Sequence, residues 1–313
     1  MDSLILVVCL VGIVCAMLTI FLNLNLVFRI VLTKSKRIEE MILFYYRFVL
    51  DIFFGFCLLL YILYVLLSLE SPDFMSNYRP LIVFLALPWS NLAACRSIIA
   101  VSIALDRVLA TYFPMKYRSK RKRFPNFMVL LVGLLFGFSE NLVLFTLCEY
   151  DMEIPSSCQV FGCAMNKCFY NFWTLHKAII FSAILGLSIL LSVKLFLWNK
   201  FKSSAKSARL SRANRLALLD TVTVLFFDFL PSFCGNLWPT AKMFSFDYVG
   251  PYNAVGKVIG CAIESAVVTT VLLPRHSSIG AERSLSQRKT GVKKTSSMVS
   301  FARPDSAQTN RTA

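Results

Sequence analysis

The chain is 313 residues long, and 57% of its residues are hydrophobic while only 16% are charged. This composition excludes an ordinary water-soluble fold and is typical of a protein with several membrane-spanning helices. The formal net charge of +16 does not indicate nucleic-acid binding either, because the basic residues stand in short clusters between apolar runs. The sequence therefore predicts an all-α membrane protein.

Seven apolar runs are each long enough to cross a bilayer, which requires about 20 residues. Backbone polar groups find no water in the bilayer interior, so each run is predicted to be a helix. The first run is predicted to be a helix and not a signal peptide, because it is too long and follows no basic stretch. The predicted spans are 4–32, 41–69, 81–112, 127–147, 172–198, 216–238 and 253–273.

Lysine and arginine collect in alternate loops, and this asymmetry predicts the orientation because basic loops stay on the cytoplasmic side of a membrane. The loops after the first, third and fifth spans are basic, whereas the opposite loops carry several acids. The N-terminus is therefore predicted outside the cell and the C-terminus inside. Residues 1–274 would form a seven-helix bundle, and residues 275–313 a disordered, basic cytoplasmic tail rich in Ser and Thr.

Four of the ten cysteines lie in or at the rim of the second outer loop. Thiols oxidise outside the cell, so two disulfides are predicted there, and the sequence leaves all three pairings open. Cys95 of the third span is too deep in the membrane to take part, so the loop is predicted to cross-link itself. The disulfide candidates are Cys148, Cys158, Cys163 and Cys168.

Several ionisable residues are predicted near the middle of the membrane, where charge is costly and usually faces the interior of a bundle. We expect Arg96 to pair with an acid of the fourth, sixth or seventh span, and the remaining acids to be protonated. Alternatively, this pair is a latch between two packings, one of which a ligand favours. Lys257 is interpreted as a counter-charge for an anionic ligand or as a lysine that extends to the membrane interface. The predicted polar or ligand-linked residues are Asp51, Arg96, Glu140, Asp228, Lys257 and Glu264.

The end of the third span resembles a known receptor motif. Residues 105–107 (Leu-Asp-Arg), followed by a Pro and a Tyr, resemble the Asp-Arg-Tyr box and second inner loop of rhodopsin-like G-protein-coupled receptors. Asp51 and Pro231 stand where that family has an ion-binding aspartate and a proline that kinks the sixth helix. The chain also departs from that family, because Val108 replaces the tyrosine of the box and the fifth span has no Pro.

This mixture is similar to the nematode serpentine chemoreceptors, and most of all to serpentine receptor class BC. The resemblance extends over essentially all seven spans. It implies a receptor in the plasma membrane of a sensory cilium that detects an odorant or pheromone-like small molecule and activates a heterotrimeric G protein. A heteromer with another receptor is left open, and no cofactor is expected. The stretches that carry the resemblance are 105–107, 112–114, 158–163, 173–177, 214–220, 227–231 and 273–276.

By that resemblance, Arg107 is the residue that meets the G protein. Asp106 would hold its guanidinium at rest and release it as the sixth helix moves, with Pro114 and Tyr117 in the loop behind. Asp220, about one turn inside the membrane, is the only candidate for a second acid that holds Arg107 at the foot of the sixth span. Alternatively, Asp106 and Arg107 only anchor the helix end at the membrane interface.

Two other classes of protein compete with a receptor. An enzyme is disfavoured because His176 and His276 are the only histidines, too few for a histidine metal cluster, and the sequence has no Gly-rich phosphate loop. A ligand-gated channel or transporter is the more serious alternative, since ion pathways also use intramembrane acids. Against it, the two halves of the sequence show no internal repeat and no pair of helices broken by Gly or Pro.

Overall fold

The computed structural model describes most of the chain, and the described residues are largely helical, as the sequence predicts. Contacts divide the chain into two units, Met1–Thr269 and Thr270–Ala313. Of the second unit only 270–272, the last turn of a helix, are described, so the predicted tail lies outside the described residues. The described residues are 3–32, 41–121, 125–155, 158, 160–201, 208–238 and 249–272.

Seven long helices are present among the described residues. They are α1 (Ser3–Leu32), α2 (Ile42–Glu70), α3 (Leu81–Tyr112), α4 (Asn126–Leu142, continued by Val143–Leu147), α5 (Lys167–Phe201), α6 (Ala208–Val224, Leu225–Phe229 and Leu230–Leu237) and α7 (Tyr252–Leu272). Two helices begin well before the predicted spans, α5 at Lys167 and α6 at Ala208, whereas the other starts agree to within one residue. The prediction follows the apolar run, whereas a helix continues through polar residues beyond the membrane.

Among the described residues, six helices are long and apolar enough to cross a membrane, namely all of the seven except α3. α3 forms over its predicted bounds, but it carries Arg96, Asp106, Arg107 and an internal Pro88, and most of its side chains are buried. Charged residues of membrane helices face the interior of a bundle, so a central helix tolerates this composition. The chain is a multi-pass membrane protein. The count of seven spans, which requires α3 to cross the membrane, and the orientation of the termini remain predictions.

α3 contacts α2, α4, α5 and α6, and two glycines allow α4 to approach it closely. A Cβ atom at Gly137 would collide with the backbone oxygen of Asn91, and one at Gly133 would lie 3.1 Å from the Cys95 sulfur. Two small residues four positions apart lie on one helix face and are typical of helix pairs in membranes, where close packing holds helices together. The α3–α4 contact therefore depends on these glycines.

Gly137→Ala is expected to destabilise the folded protein by about 1–3 kcal/mol, because overpacking forces the helices apart. Gly186→Ala is the matched control, since an added Cβ there meets nothing within 4 Å. Thermal unfolding of the two variants in detergent measures the difference. If both variants unfold at the same temperature, the close α3–α4 packing is contradicted.

π-helical turns interrupt two helices. α4 ends in one at Val143–Leu147, and α6 contains one at Leu225–Phe229. Pro231 follows directly, in the first turn of the last segment of α6. Prolines and π turns are both usual causes of helix bends, because each removes or displaces a backbone hydrogen bond. The kink that the sequence predicts at Pro231 therefore coincides with a change of helix type.

Two disulfides cross-link the segment between α4 and α5, and the structure selects one of the three possible pairings. Cys148–Cys168 joins the end of α4 to the start of α5, and Cys158–Cys163 closes a short loop. Cys95 is a buried free thiol. The prediction that the loop cross-links itself is confirmed.

The same segment packs into the core of the bundle. The Phe161 N–H donates a hydrogen bond to the Tyr61 hydroxyl over 3.0 Å. The Phe161 ring lies edge-on to Trp89 of α3, with 6.0 Å between centroids. The Tyr150 hydroxyl donates to the Ala164 carbonyl oxygen over 2.7 Å, and burial raises the pKa of the Tyr150 phenol, which keeps this donor protonated. The segment therefore closes this end of the bundle.

Candidate functional site

Three acids and two arginines form a buried cluster that links α2, α3, α6 and α7. This arginine cluster consists of Arg47, Asp51, Arg96, Asp220 and Glu264. Arg47 Nη2 lies 2.5 Å from Asp220 and 2.9 Å from Glu264, and Arg96 is paired with Asp51. Within each ion pair the two partners depend on one another, because removing one of them leaves an uncompensated buried charge.

A second cluster links α3, α4, α5, α6 and α7. This lysine cluster consists of Ser90, Glu140, Trp173, His176, Lys177, Asp228 and Lys257. Lys257 Nζ lies 2.8 Å from Asp228 Oδ1. Lys177 interacts electrostatically with Lys257 and with the same carboxylate, and its ammonium is 3.0 Å from the centre of the Trp173 ring. Two lysines therefore compete for one aspartate beside an aromatic face.

Glu140 holds the other side of the lysine cluster together. Its side chain is fully buried and lies 3.1 Å from His176 Nε2. The Ser90 hydroxyl donates a hydrogen bond to Glu140 over 2.9 Å, and the Trp173 indole N–H donates to the Ser90 oxygen over 3.0 Å. These contacts join α5 to α3 and α4 around a carboxylate inside the bundle.

A cavity of about 20 Å³ lies between the two clusters. This volume holds about one water molecule. Both clusters contribute to its lining, which includes Arg47, Arg96, Phe227, Asp228, Lys257 and Glu264. The bundle is thus closed here, and a larger molecule binds between the clusters only if the helices separate.

A third group lies at the C-terminal end of α3. Arg107 is 1% exposed, and its guanidinium binds the carboxylate of the adjacent Asp106. The Tyr117 hydroxyl donates to the other oxygen of Asp106 over 2.8 Å. Tyr117 belongs to a short helix, Pro114–Arg121, which we call the loop helix and which begins at Pro114. The structure thus brings together Asp106, Arg107 and Tyr117, and Pro114 begins the helix that carries Tyr117.

Comparison with known protein families decides the assignment. The sequence model of the serpentine type 7TM GPCR chemoreceptor Srbc matches residues 1–276. The chain belongs to the Srbc family. The matched part includes all seven helices and both clusters, and it confirms the resemblance to serpentine receptor class BC. A search of curated proteins found no match to this Srbc chain.

The predicted partner of Arg96 in this Srbc chain is wrong. Arg96 binds Asp51 of α2, and its guanidinium also lies 4.9 Å from the centre of the Phe54 ring. α2 and α3 pack side by side, so Asp51 is the acid within reach. The three predicted partners bind other residues: Glu140 lies beside His176, Asp228 binds Lys257, and Glu264 binds Arg47.

Two further expectations are contradicted. Asp220 pairs with Arg47 of α2 and not with Arg107, so it does not supply a second contact for Arg107. Lys257 does not extend to the membrane interface. It is 3% exposed and bound to Asp228, because the partly exposed Asp228 carboxylate lies within reach and compensates a lysine that the interior would otherwise leave unpaired.

Five cluster residues of the Srbc chain are absent from the sequence-based site: Ser90, Trp173 and three ionisable residues, Arg47, His176 and Lys177. Arg47 lies near the start of the second span, where a basic residue is usually interpreted as lying at the membrane interface. It nevertheless stands one helical turn before Asp51 on the same helix face. His176 and Lys177 stand three and four residues after Trp173, again on one face. Each of the three ionisable residues stands three or four positions from another polar or aromatic residue of its helix. This spacing is the sequence pattern that could have identified them.

Proposed function

We propose that this Srbc chain is a chemosensory G-protein-coupled receptor that detects a small molecule and activates a heterotrimeric G protein. The supporting observation is that α6 and α7 are tied at two levels. Lys257 joins them through Asp228, and Arg47 joins them through Asp220 and Glu264. Buried ion pairs have a few discrete arrangements, so a ligand that changes one arrangement shifts the helices that carry it.

The lysine cluster is the proposed ligand site. Lys257 binds Asp228, and the Lys177 amine interacts electrostatically with both residues. The Lys257 ammonium also lies 5.6 Å from the Trp173 ring centre and 6.0 Å from that of Trp89. A small molecule with an anionic or acceptor group on an apolar body fits this chemistry, since it would take a lysine from Asp228 and place its apolar part on the rings.

Two helices connect the lysine cluster to the arginine cluster. Asp228 and Asp220 are eight residues apart on α6, and Lys257 and Glu264 are seven residues apart on α7. At the helical rise these separations are roughly 10–12 Å along each axis. Because α7 is a continuous helix from Tyr252 to Leu272, a shift at Lys257 is passed to Glu264 and alters the pairing geometry at Arg47.

Arg107 is the proposed G-protein contact. Asp106 binds it at rest, Tyr117 holds Asp106, and movement of α6 would release the guanidinium. The basic sequence of the loop helix supports a cytoplasmic position for this end, with the N-terminus outside and the C-terminus inside. The family description as a chemoreceptor supports a place in the plasma membrane of a sensory cilium, alone or in a heteromer with another receptor.

Arg107→Ala is expected to lower the G-protein response at least about tenfold, while the protein still reaches the cell surface. Cells that express the chain are challenged with fractionated extracts of small secreted metabolites, and G-protein activation and surface level are measured together. A response that the variant retains in full, or that survives G-protein inhibition, would instead favour a ligand-gated channel or transporter.

A further inference from the structure

An apolar groove of about 730 Å³ lies between α2, α3, α4 and the loop helix, and the proposed signalling does not use it. Its volume falls within the roughly 300–1,000 Å³ of small-molecule pockets. Leu105, Met128 and Val132 of its lining are exposed on the surface of the bundle, which in a membrane faces lipid. The apolar lining includes Leu43, Ile98, Leu105, Leu109, Met128 and Val132.

One end of the groove is polar. Asp106, Lys116 and Tyr117 line it. The Asp106 carboxylate is already bound by Arg107 and Tyr117, so its charge is compensated inside the protein. Lys116 is exposed and forms no ion pair with another described residue. The loop helix has four basic residues and no acid in its sequence. The groove therefore combines an apolar body with a cationic mouth.

We propose that the groove binds one anionic phospholipid of the surrounding membrane, with an acyl chain along α3 and α4 and the headgroup at Lys116. An apolar groove alone would accept any acyl chain. The cationic mouth selects an acidic headgroup, because a lysine at a membrane surface attracts anionic lipid. Since Asp106 and Tyr117 form the polar wall, the bound lipid contacts the residues that hold Arg107.

Native mass spectrometry of the full-length chain tests the headgroup preference. The protein is held in detergent micelles with equal amounts of phosphatidylserine and phosphatidylcholine, and the retained lipids are counted. The parent is expected to retain several times more phosphatidylserine than phosphatidylcholine, and Lys116→Gln to retain about fivefold less phosphatidylserine than the parent. Lys194→Gln is the matched control, because Lys194 lies on α5 over the Tyr112 ring and outside the groove lining.

A second pair of variants tests the apolar part. Val132→Trp fills the groove and is expected to lower retention of both lipids, whereas Val193→Trp, at a similarly exposed valine of α5, is expected to leave it unchanged. Equal phosphatidylserine loss in Lys116→Gln and Lys194→Gln, or equal lipid retention in the two tryptophan variants, overturns the proposal. Neither assay needs a signalling ligand or a G protein, so its result is independent of the proposed receptor function.

Discussion

Arg47→Met is expected to destabilise the folded protein by about 3–5 kcal/mol, because it leaves buried charge without a partner. Arg47 is 1% exposed and is the described partner of both Asp220 and Glu264. Its removal leaves two buried carboxylates without the cation that pairs with both. Thermal unfolding in detergent and the amount of protein at the cell surface measure the effect.

A combined variant separates charge compensation from packing. Arg47→Met together with Asp220→Leu and Glu264→Met removes Arg47 and both of its acids, leaves the Arg96–Asp51 pair in place, and is expected to recover most of the lost stability, because an apolar replacement of a buried ion network is often neutral. The same variant is expected to lose ligand-dependent signalling, since α6 and α7 no longer share a cation. If the triple variant is as unstable as Arg47→Met, the stabilising role of the ion network is contradicted.

Lys257→Met is expected to weaken the ligand response by at least about thirtyfold in potency. Truncating one partner of a fully buried charge pair costs roughly 2–5 kcal/mol, and we take the low end because Asp228 is partly exposed; here the same amine is also the proposed ligand contact. Dose–response curves with the most active metabolite fraction measure the change. Lys257→Arg keeps the charge and is expected to retain more of the response than Lys257→Met. Equal potency in the parent and Lys257→Met would rule out Lys257 as a ligand contact.

The helices and the cross-linked loop follow from the sequence because they depend on local properties. An apolar run of sufficient length forms a helix wherever it is inserted, and α3 has the predicted bounds Leu81–Tyr112. All four cysteines of the loop lie in one short segment, so the cross-linking of the loop needs no knowledge of the bundle, whereas the choice among the three pairings comes from the structure. The Asp106–Arg107 contact is likewise local, because the two residues are adjacent in the chain.

The ion pairs could not be predicted, because they depend on which helices are neighbours and on how each is rotated about its axis. Arg96 and Glu264 lie at similar predicted depth, yet Arg96 meets Asp51 because α2 packs beside α3. Arg47 binds acids of α6 and α7 that are more than 170 residues away in the chain. Helical periodicity places a residue on a face but does not say which helix that face meets.

Two lysines inside the bundle show the same limit of prediction from the sequence. Lys257 is compatible with an interfacial lysine in the sequence, and only the position of Asp228 on the neighbouring helix shows that it points inward. Lys177 is similar, because Trp173 lies one turn away on the same helix but the interaction of Lys177 with Lys257 depends on where α7 lies. For both lysines, the identity of the partner and not the local sequence decides between a surface residue and a buried one.

Basal G-protein activation without any ligand tests most directly whether the Lys257–Asp228 pair holds the receptor at rest and signals through Arg107. Purified chain is reconstituted with a heterotrimeric G protein, and the rate of nucleotide exchange is measured for the parent, Asp228→Asn, and Asp228→Asn combined with Arg107→Ala. Asp73→Asn, at an exposed aspartate, is the control. We expect Asp228→Asn to raise the basal rate several-fold and Arg107→Ala to abolish the rise. A folded Asp228→Asn variant with the parent's basal rate, or a rise that persists without Arg107, would contradict this mechanism.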